Sequence, residues 1–272
     1  TSGVGLPTDL WVPATDKVRP QSSQQIAGGF AKDFEKQKLS FTAEGYYKTM
    51  NNIIGYKEGA SFLAVETVDD GVESISWEDN ITSGDGVSYG AELLLQKKQG
   101  QLTGWVGYTL SWTKHQFDAL NNGKEFYARY DRRHDASIVL QYKINENITA
   151  SFTWVYGTGN AITLPISTYN ISEINSLRTS YGYWQNGTEY TERNAFRMKA
   201  YHRADIGVQI TKEKKRGLRT WEFSAYNLYN QKNPFYYTIG NEDRWNPESK
   251  QVLKQISIFP ILPSVSYNYK FN

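Results

Sequence analysis

The sequence predicts an all-β chain that forms the wall of a transmembrane antiparallel β-barrel. Three observations predict it. Apolar and polar residues alternate with period two in segment after segment, the mark of strands with two unlike faces. The apolar residues are ring-rich, with Tyr 20, Phe 12 and Trp 8 in 272 residues, yet mean hydropathy is only −0.61. The connections between alternating segments are short and long in turn.

The first strand is expected over 24–34 and the second over 38–48, where Leu39, Phe41, Ala43, Gly45 and Tyr47 oppose Ser40, Thr42, Glu44, Tyr46 and Lys48. In the third, Val87, Tyr89, Ala91, Leu93 and Leu95 oppose Ser88, Gly90, Glu92, Leu94 and Gln96. In the fourth, Leu102, Val106, Tyr108, Leu110 and Trp112 alternate with Thr103, Trp105, Gly107, Thr109 and Ser111. A fifth reads at 135–143. The sixth is the clearest: Ile148, Ala150, Phe152, Trp154 and Tyr156 share one face, and Thr149, Ser151, Thr153 and Val155 the other. Two more read at 201–211 and 219–229. The last is expected over 251–271, ending Val265, Tyr267, Tyr269, Phe271 against Ser264, Ser266, Asn268, Lys270. Pro260 and Pro263 cannot donate to a ladder, so its upper part should project above the wall with 234–239.

The polar face is mostly Ser, Thr and Gly with scattered charges, and the apolar face is rimmed by Tyr and Trp. These are the lumen and lipid faces of a membrane barrel with aromatic girdles. A closed barrel also satisfies every backbone group in the hydrocarbon core. The lipid face is read to include Leu93, Phe152, Trp154, Tyr267 and Phe271. Short connections fall near 35–37, 98–101, 144–147 and 212–218, and long ones near 50–85, 115–134, 158–200 and 230–250. Outer-membrane barrels pair short periplasmic turns with long extracellular loops, which sets the direction of each strand. About nine strands result, an odd number with residues 1–23 as an extracellular loop, whereas bacterial single-chain barrels are even. The chain is therefore expected to be one domain portion, 1–272, of a larger barrel.

Composition narrows the function classes. Lys+Arg 30 against Asp+Glu 28 leaves +2 and no basic stripe, against nucleic-acid binding. No apolar run approaches the ~18–20 residues of a spanning helix. The absence of cysteine removes thiolate chemistry and Cys-based zinc sites. His115, His134 and His202 are too scattered for a metal site. No phosphate loop, Ser/His/Asp spacing or paired-carboxylate motif appears, so no enzyme, cofactor or metal is expected.

Four segments carry a family resemblance: Tyr130-Asp131-Arg132-Arg133-His134-Asp135; Ala200-Tyr201-His202-Arg203-Ala204-Asp205; Ala225-Tyr226-Asn227-Leu228-Tyr229-Asn230 with Lys232-Asn233-Pro234-Phe235; and Phe259-Pro260-Ile261-Leu262-Pro263 leading to Tyr267-Asn268-Tyr269-Lys270-Phe271. In this order the chain resembles the C-terminal barrel of TonB-dependent outer-membrane receptors of the Bacteroidetes type, over roughly 24–271. The resemblance implies a 22-stranded barrel, an N-terminal plug that this chain lacks, and import driven by the TonB complex through that plug. The implied partners are outer-membrane lipid, the N-terminal strands and plug, TonB and a surface lipoprotein. Two departures are visible: the chain ends Phe271-Asn272 rather than on the aromatic, and the ending does not resemble the starch-utilisation branch.

Candidate residues follow from phase and position. Glu44, Glu92, Arg203, Asp205 and Glu222 fall on the lumen phase, where they would bind the plug or pair with each other across strands. Arg132 and Arg133 begin a descending strand at the rim. They could fork onto an anionic ligand or anchor a loop to carboxylates. Tyr181, Tyr183, Trp184 and Tyr190 place rings beside amides in the longest loop, suited to stacking on a ligand or to a loop core. Asp69, Asp70, Glu73, Glu78, Asp79 and Asp85 lack a calcium-loop spacing and read as a solvated acidic run. The Asn-X-Ser/Thr triplets at Asn80, Asn147, Asn170 and Asn186 read as chance.

The expected function is uptake of a scarce ligand across a Gram-negative outer membrane, with loops capturing it above a plugged lumen. Siderophore, vitamin, glycan and peptide all fit. The alternatives are a barrel kept as a structural or assembly partner, a barrel enzyme, and a soluble β-rich binding module.

Overall fold

The computed structural model describes residues 13–57, 65–68, 71–74, 77–171, 185–190, 192–243, 245–246 and 249–271. Nine long strands form one antiparallel sheet: Ser22–Phe34 (β1), Leu39–Tyr56 (β2), Ile81–Lys97 (β3), Leu102–Gln116 (β4), His134–Asn145 (β5), Ile148–Gly157 (β6), Tyr201–Lys214 (β7), Gly217–Tyr226 (β8) and Leu262–Phe271 (β9). Each pairs with the next in the chain, so the topology is a plain up-and-down meander. Phe126–Tyr127 adds a short rung to β4.

The period-two pattern survives in the register. Gly29, Glu44, Glu92, Thr109, Asp135, Gly157 and Tyr201 form one row across β1 to β7, and the residues flanking each belong to the other face. The opposite face carries rows such as Ala43–Leu93–Tyr108 and Ile138–Trp154, and Phe152–Ile206. Among the described residues no second sheet covers this layer. In strands paired on both sides, Leu93 is 43% exposed, Ile206 40% and Phe223 45%, values that a water-soluble sandwich would not leave on its inner face.

Turns of two to four residues join β1–β2, β3–β4, β5–β6 and β7–β8, and long excursions join the other ends. The excursions carry their own two-stranded ribbons: Val65–Val68 with Gly71–Ser74, Ala161–Ile162 with Phe196–Arg197, Pro165–Ile171 with Gln185–Tyr190, and Tyr236–Asn241 with Gln251–Ile256.

Three boundaries differ from the sequence reading. The segment 251–271 is two elements: Gln251–Ile256 pairs only within its ribbon, and the wall strand begins at Leu262. Pro260, with no N–H to donate, lies in the break. The strand expected over 219–229 stops at Tyr226, because Asn227 takes a left-handed conformation with φ 53°. The β2–β3 pair continues well beyond 48 and 87, to Tyr56 and Ile81, across a bulge between Met50 and Ile53.

Candidate functional site

Among the described residues most of the buried side chains gather at the long-connection end of the sheet. Phe117, Leu120 and Phe126 form a small core with Ile53 packed against it. The bulge places Ile53 opposite Gly84, on the polar phase of the wall below. Gly84 makes room: a Cβ there would lie 2.5 Å from the Phe117 ring. Residues 117–127 are thus seated against the polar-phase side of the projecting β2–β3 ribbon. His115 meets Phe117 and Phe126 edge-on, at centroid distances of 6.3 and 6.2 Å. It is the penultimate residue of β4, beyond the ~9–11 residues that cross a bilayer. Burial, then the Arg193 charge, holds its pKa below the usual imidazole value.

Asp131 ties two excursions together. Its side chain is fully buried. One oxygen accepts from the Thr113 N–H at 2.6 Å, and the other pairs with Arg197 and, at 3.5 Å, with Arg133. Arg197 also donates to the Asp131 and Gly159 carbonyls. Arg133 lies over Trp112 at 4.6 Å and Tyr127 at 5.2 Å, and Arg197 over Tyr127 at 4.9 Å. Around this hub, the Asn194 amide donates to the Tyr127 carbonyl, the Arg193 N–H to Asn121, and Lys124 pairs with Glu192 at 2.8 Å. The excursion after β4 and the end of the one after β6 are one docked unit.

Both rim arginines named from sequence are therefore engaged. Arg133 holds Asp131 and donates to the Ser111 carbonyl; Arg132 reaches Asp135 at 3.4 Å and Asn160 at 3.4 Å. Tyr181, Tyr183 and Trp184 lie outside the described residues, as do Asp69 and Asp70. Glu78 accepts from the Thr15 hydroxyl at 2.5 Å and lies 3.8 Å from Lys17. Among the described residues no cluster could hold a metal ion.

The five charges assigned to one phase do share one face of the sheet. Arg203 and Asp205 are internally satisfied. Arg203 Nε donates to Asp205 at 3.0 Å, and its Nη1 donates to the hydroxyls of Tyr226 and Tyr201 at 2.6 and 3.1 Å. Glu44 and Glu92 stand directly opposite each other, and Glu222 opposite Gln209 and Ser266. None of these three glutamates makes an ion pair among the described residues. A concavity of about 310 Å³ opens on this face at Glu44, Glu92, Trp105 and Asp135. Leu93, Phe152, Trp154, Tyr267 and Phe271 all occupy the opposite face.

The asparagines of 225–235 act as staples. Buried Asn227 donates to the Gln231 and Phe259 carbonyls at 3.0 Å each, accepts from Gln231 N–H, and gives its own N–H to Asp205. Asn230 accepts from Ile261 N–H at 3.0 Å, and Asn233 brackets both backbone groups of His202. Tyr229 hydrogen-bonds His202 Nδ1 at 2.9 Å, and burial raises its phenol pKa. Sequence reasoning saw this motif but not its partners. The Asn spacing of three was the available signal.

No protein-family model matches the chain, and no curated protein matches it. Solved structures do. The ferripyoverdine receptor of the outer membrane of Pseudomonas aeruginosa, bound to ferripyoverdine, is 12% identical with a TM-score of 0.50, over 96% of this chain and 29% of that one. The ferric-catecholate import receptor Fiu from Escherichia coli K12, in its closed form, is 15% identical with a TM-score of 0.48, over 93% and 29%. The unliganded ferric citrate transporter FecA is 11% identical with a TM-score of 0.47, over 92% and 31%. The chain spans under a third of the length of these solved receptors. The fold is that of an antiparallel β-barrel wall of this kind.

Proposed function

We propose that this chain is the C-terminal wall and loop set of an outer-membrane receptor of the TonB-dependent, Bacteroidetes type, which imports a scarce ligand through a plugged 22-stranded barrel. The observation that carries the proposal is the two-faced single layer: an apolar face with no protein cover, and a polar face with unpaired carboxylates on its concave side. The apolar face, with Leu93, Phe152, Trp154, Tyr267 and Phe271, would meet lipid in the outer membrane of a Gram-negative cell. Like charges set opposite on neighbouring strands are unfavourable without a counter-charge. Glu44 and Glu92 accordingly fit contact with cationic groups of a plug supplied from elsewhere in the barrel, and Glu222, on the same face and without an ion pair among the described residues, is assigned to the plug with them. Arg203 and Asp205 serve the wall itself.

Capture falls to the long connections, whose described residues include a packed, buried scaffold. The unit held by Asp131 is a rigid rim on which Tyr181, Tyr183 and Trp184 would present rings to a siderophore, vitamin, glycan or peptide. With Arg132 and Arg133 committed to Asp135 and Asp131, their part is to position that rim. Transport then needs TonB to move the plug, while the wall supplies shape, polarity and anchorage; no bond is made or broken by this chain.

The test is fractionation of the full-length protein, followed by accumulation of radiolabelled ferric chelates, cobalamin, peptides and glycans in cells with and without an uncoupler. The reading expects a heat-modifiable outer-membrane species and uptake that the uncoupler stops. A detergent-independent soluble protein, or uptake indifferent to the uncoupler, would overturn it.

A further inference from the structure

The short-turn end of the sheet is strongly cationic, and the direction of its side chains says toward what. The segments 32–38, 97–101, 143–147 and 212–219, with Lys270, hold twelve cations and four acids. That is +8 in a chain whose total is +2, so the remaining residues carry −6. Among the described residues the only ion pair in this collar is Lys143 with Glu146, at 3.2 Å. A collar with so large an excess of one sign repels itself unless an outside anion meets it.

The register sorts these charges by face. Lys32 is opposite Phe41, Lys97 opposite Leu39, and Lys212 opposite Arg219, which is opposite Tyr269. Lys214 shares the row of Phe271 through Gly217. These five cations all lie on the apolar phase, within a few residues of the turns. The strand acids of the collar do not: Asp33 is opposite Ser40 and Glu213 opposite Leu218, on the polar phase. Two details mark the boundary. Lys32 Nζ sits 5.2 Å over the Phe34 ring, and Arg219 Nε is buried with no hydrogen-bond partner. Only that nitrogen is buried; the guanidinium as a whole is half-buried, and its other donors are open to an anionic oxygen supplied from outside.

The geometry points to a binding surface for anionic phospholipid headgroups: the outward cations at the short-turn end hold phosphodiesters of the leaflet that abuts them. Their stems lie along the apolar belt and their charged ends reach past its edge, where phosphates sit. Each such cation contributes about 1 kcal/mol at an anionic surface, about fivefold in affinity. The inference rests on the apolar face meeting lipid.

Fluorescence quenching by brominated lipid, in a background that keeps Trp221 as its one tryptophan, tests both claims separately, since Trp221 lies on the apolar face two residues from Arg219. The full-length protein would be reconstituted in vesicles of phosphatidylcholine containing brominated phosphatidylglycerol or brominated phosphatidylcholine. Phosphatidylglycerol should be preferred severalfold at low salt. The preference should vanish in a Lys97→Gln/Lys212→Gln/Arg219→Gln variant and survive in Lys143→Gln/Lys270→Gln, whose sites face the other way. Equal quenching by the two lipids, or a preference the triple variant keeps, would overturn the assignment. So would its displacement by inorganic phosphate or polyglutamate at equal charge, which would give the collar to a soluble anion. Absence of quenching by either lipid would sink the lipid-facing reading and this one with it.

Discussion

Asp131 and Arg197, sixty-six residues apart, share an ion pair, fully buried on the carboxylate side, that locks two long excursions into one rim. Asp131→Asn keeps the acceptor for the Thr113 N–H but leaves two guanidiniums without their carboxylate. Breaking a buried pair from one side costs about 3 kcal/mol. Amide exchange across 117–133 and 192–200 should accelerate by about a hundredfold, while the wall strands keep their protection. Uniform loss of protection would mean that Asp131 supports the wall rather than the rim.

The seat beneath that rim is apolar. Phe117→Ala removes one of the two rings of a three-residue core and should cost about 3 kcal/mol locally. Gly84→Val should release the same segment by filling the space the Phe117 ring occupies. Protease nicking within 118–124 reads both, and both variants should remain heat-modifiable.

Acid should loosen the same seat. His115 has its pKa lowered on folding, so its contribution is complete above the ordinary value of 6.5 and is lost as pH falls through the depressed folded value. Protonation would bury a charge between two phenyl rings and beside the Arg193 cation. Nicking within 118–124 should rise below about pH 6, and His115→Gln should flatten that dependence. A pH-independent rate in the parent protein would remove His115 from this role.

The two faces predict opposite outcomes for one charge. Phe152→Arg puts a guanidinium on the apolar phase mid-strand, at about 2–4 kcal/mol in a bilayer. Thr153→Arg, one residue on, points to the polar phase beside Asp205. Assembly into membranes, scored by heat-modifiable migration, should fail or slow for the first and proceed for the second.

Asn227 combines left-handed backbone with four side-chain and backbone hydrogen bonds. Asn227→Ala should destabilise the β8–β9 connection by about 3 kcal/mol. Asn227→Gly, free of the conformational strain, should cost about 1 kcal/mol less. Exchange rates across 227–235 measure the difference.

The wall was legible in the sequence because a barrel strand advertises itself at every second residue. The phases of Glu44, Leu93, Phe152 and Arg203 needed only that alternation. The rim was not legible. Asp131, Arg133 and Arg197 come together through excursions of different lengths, and nothing local signals which carboxylate meets which guanidinium. The ribbon of 236–241 with 251–256 was half visible, since the prolines announced a break but not that the two pieces belong to different sheets. Trp105 shows the strength of the alternation: a large ring that its phase, and not its chemistry, set on the polar face.

The bulge at Met50 and Ile53 has an implication for how this molecule tolerates change. Below it, odd-numbered residues of β2 lie on the apolar phase; above it, Ile53 and Gly55 lie on the polar phase, where Phe117 rests. Deleting Asn52 would restore strict alternation and turn the upper ribbon inside out, presenting Ile53 to the exterior and leaving the Phe117 seat bare. One supernumerary residue thus lets the mouth follow a different parity from the cylinder that carries it.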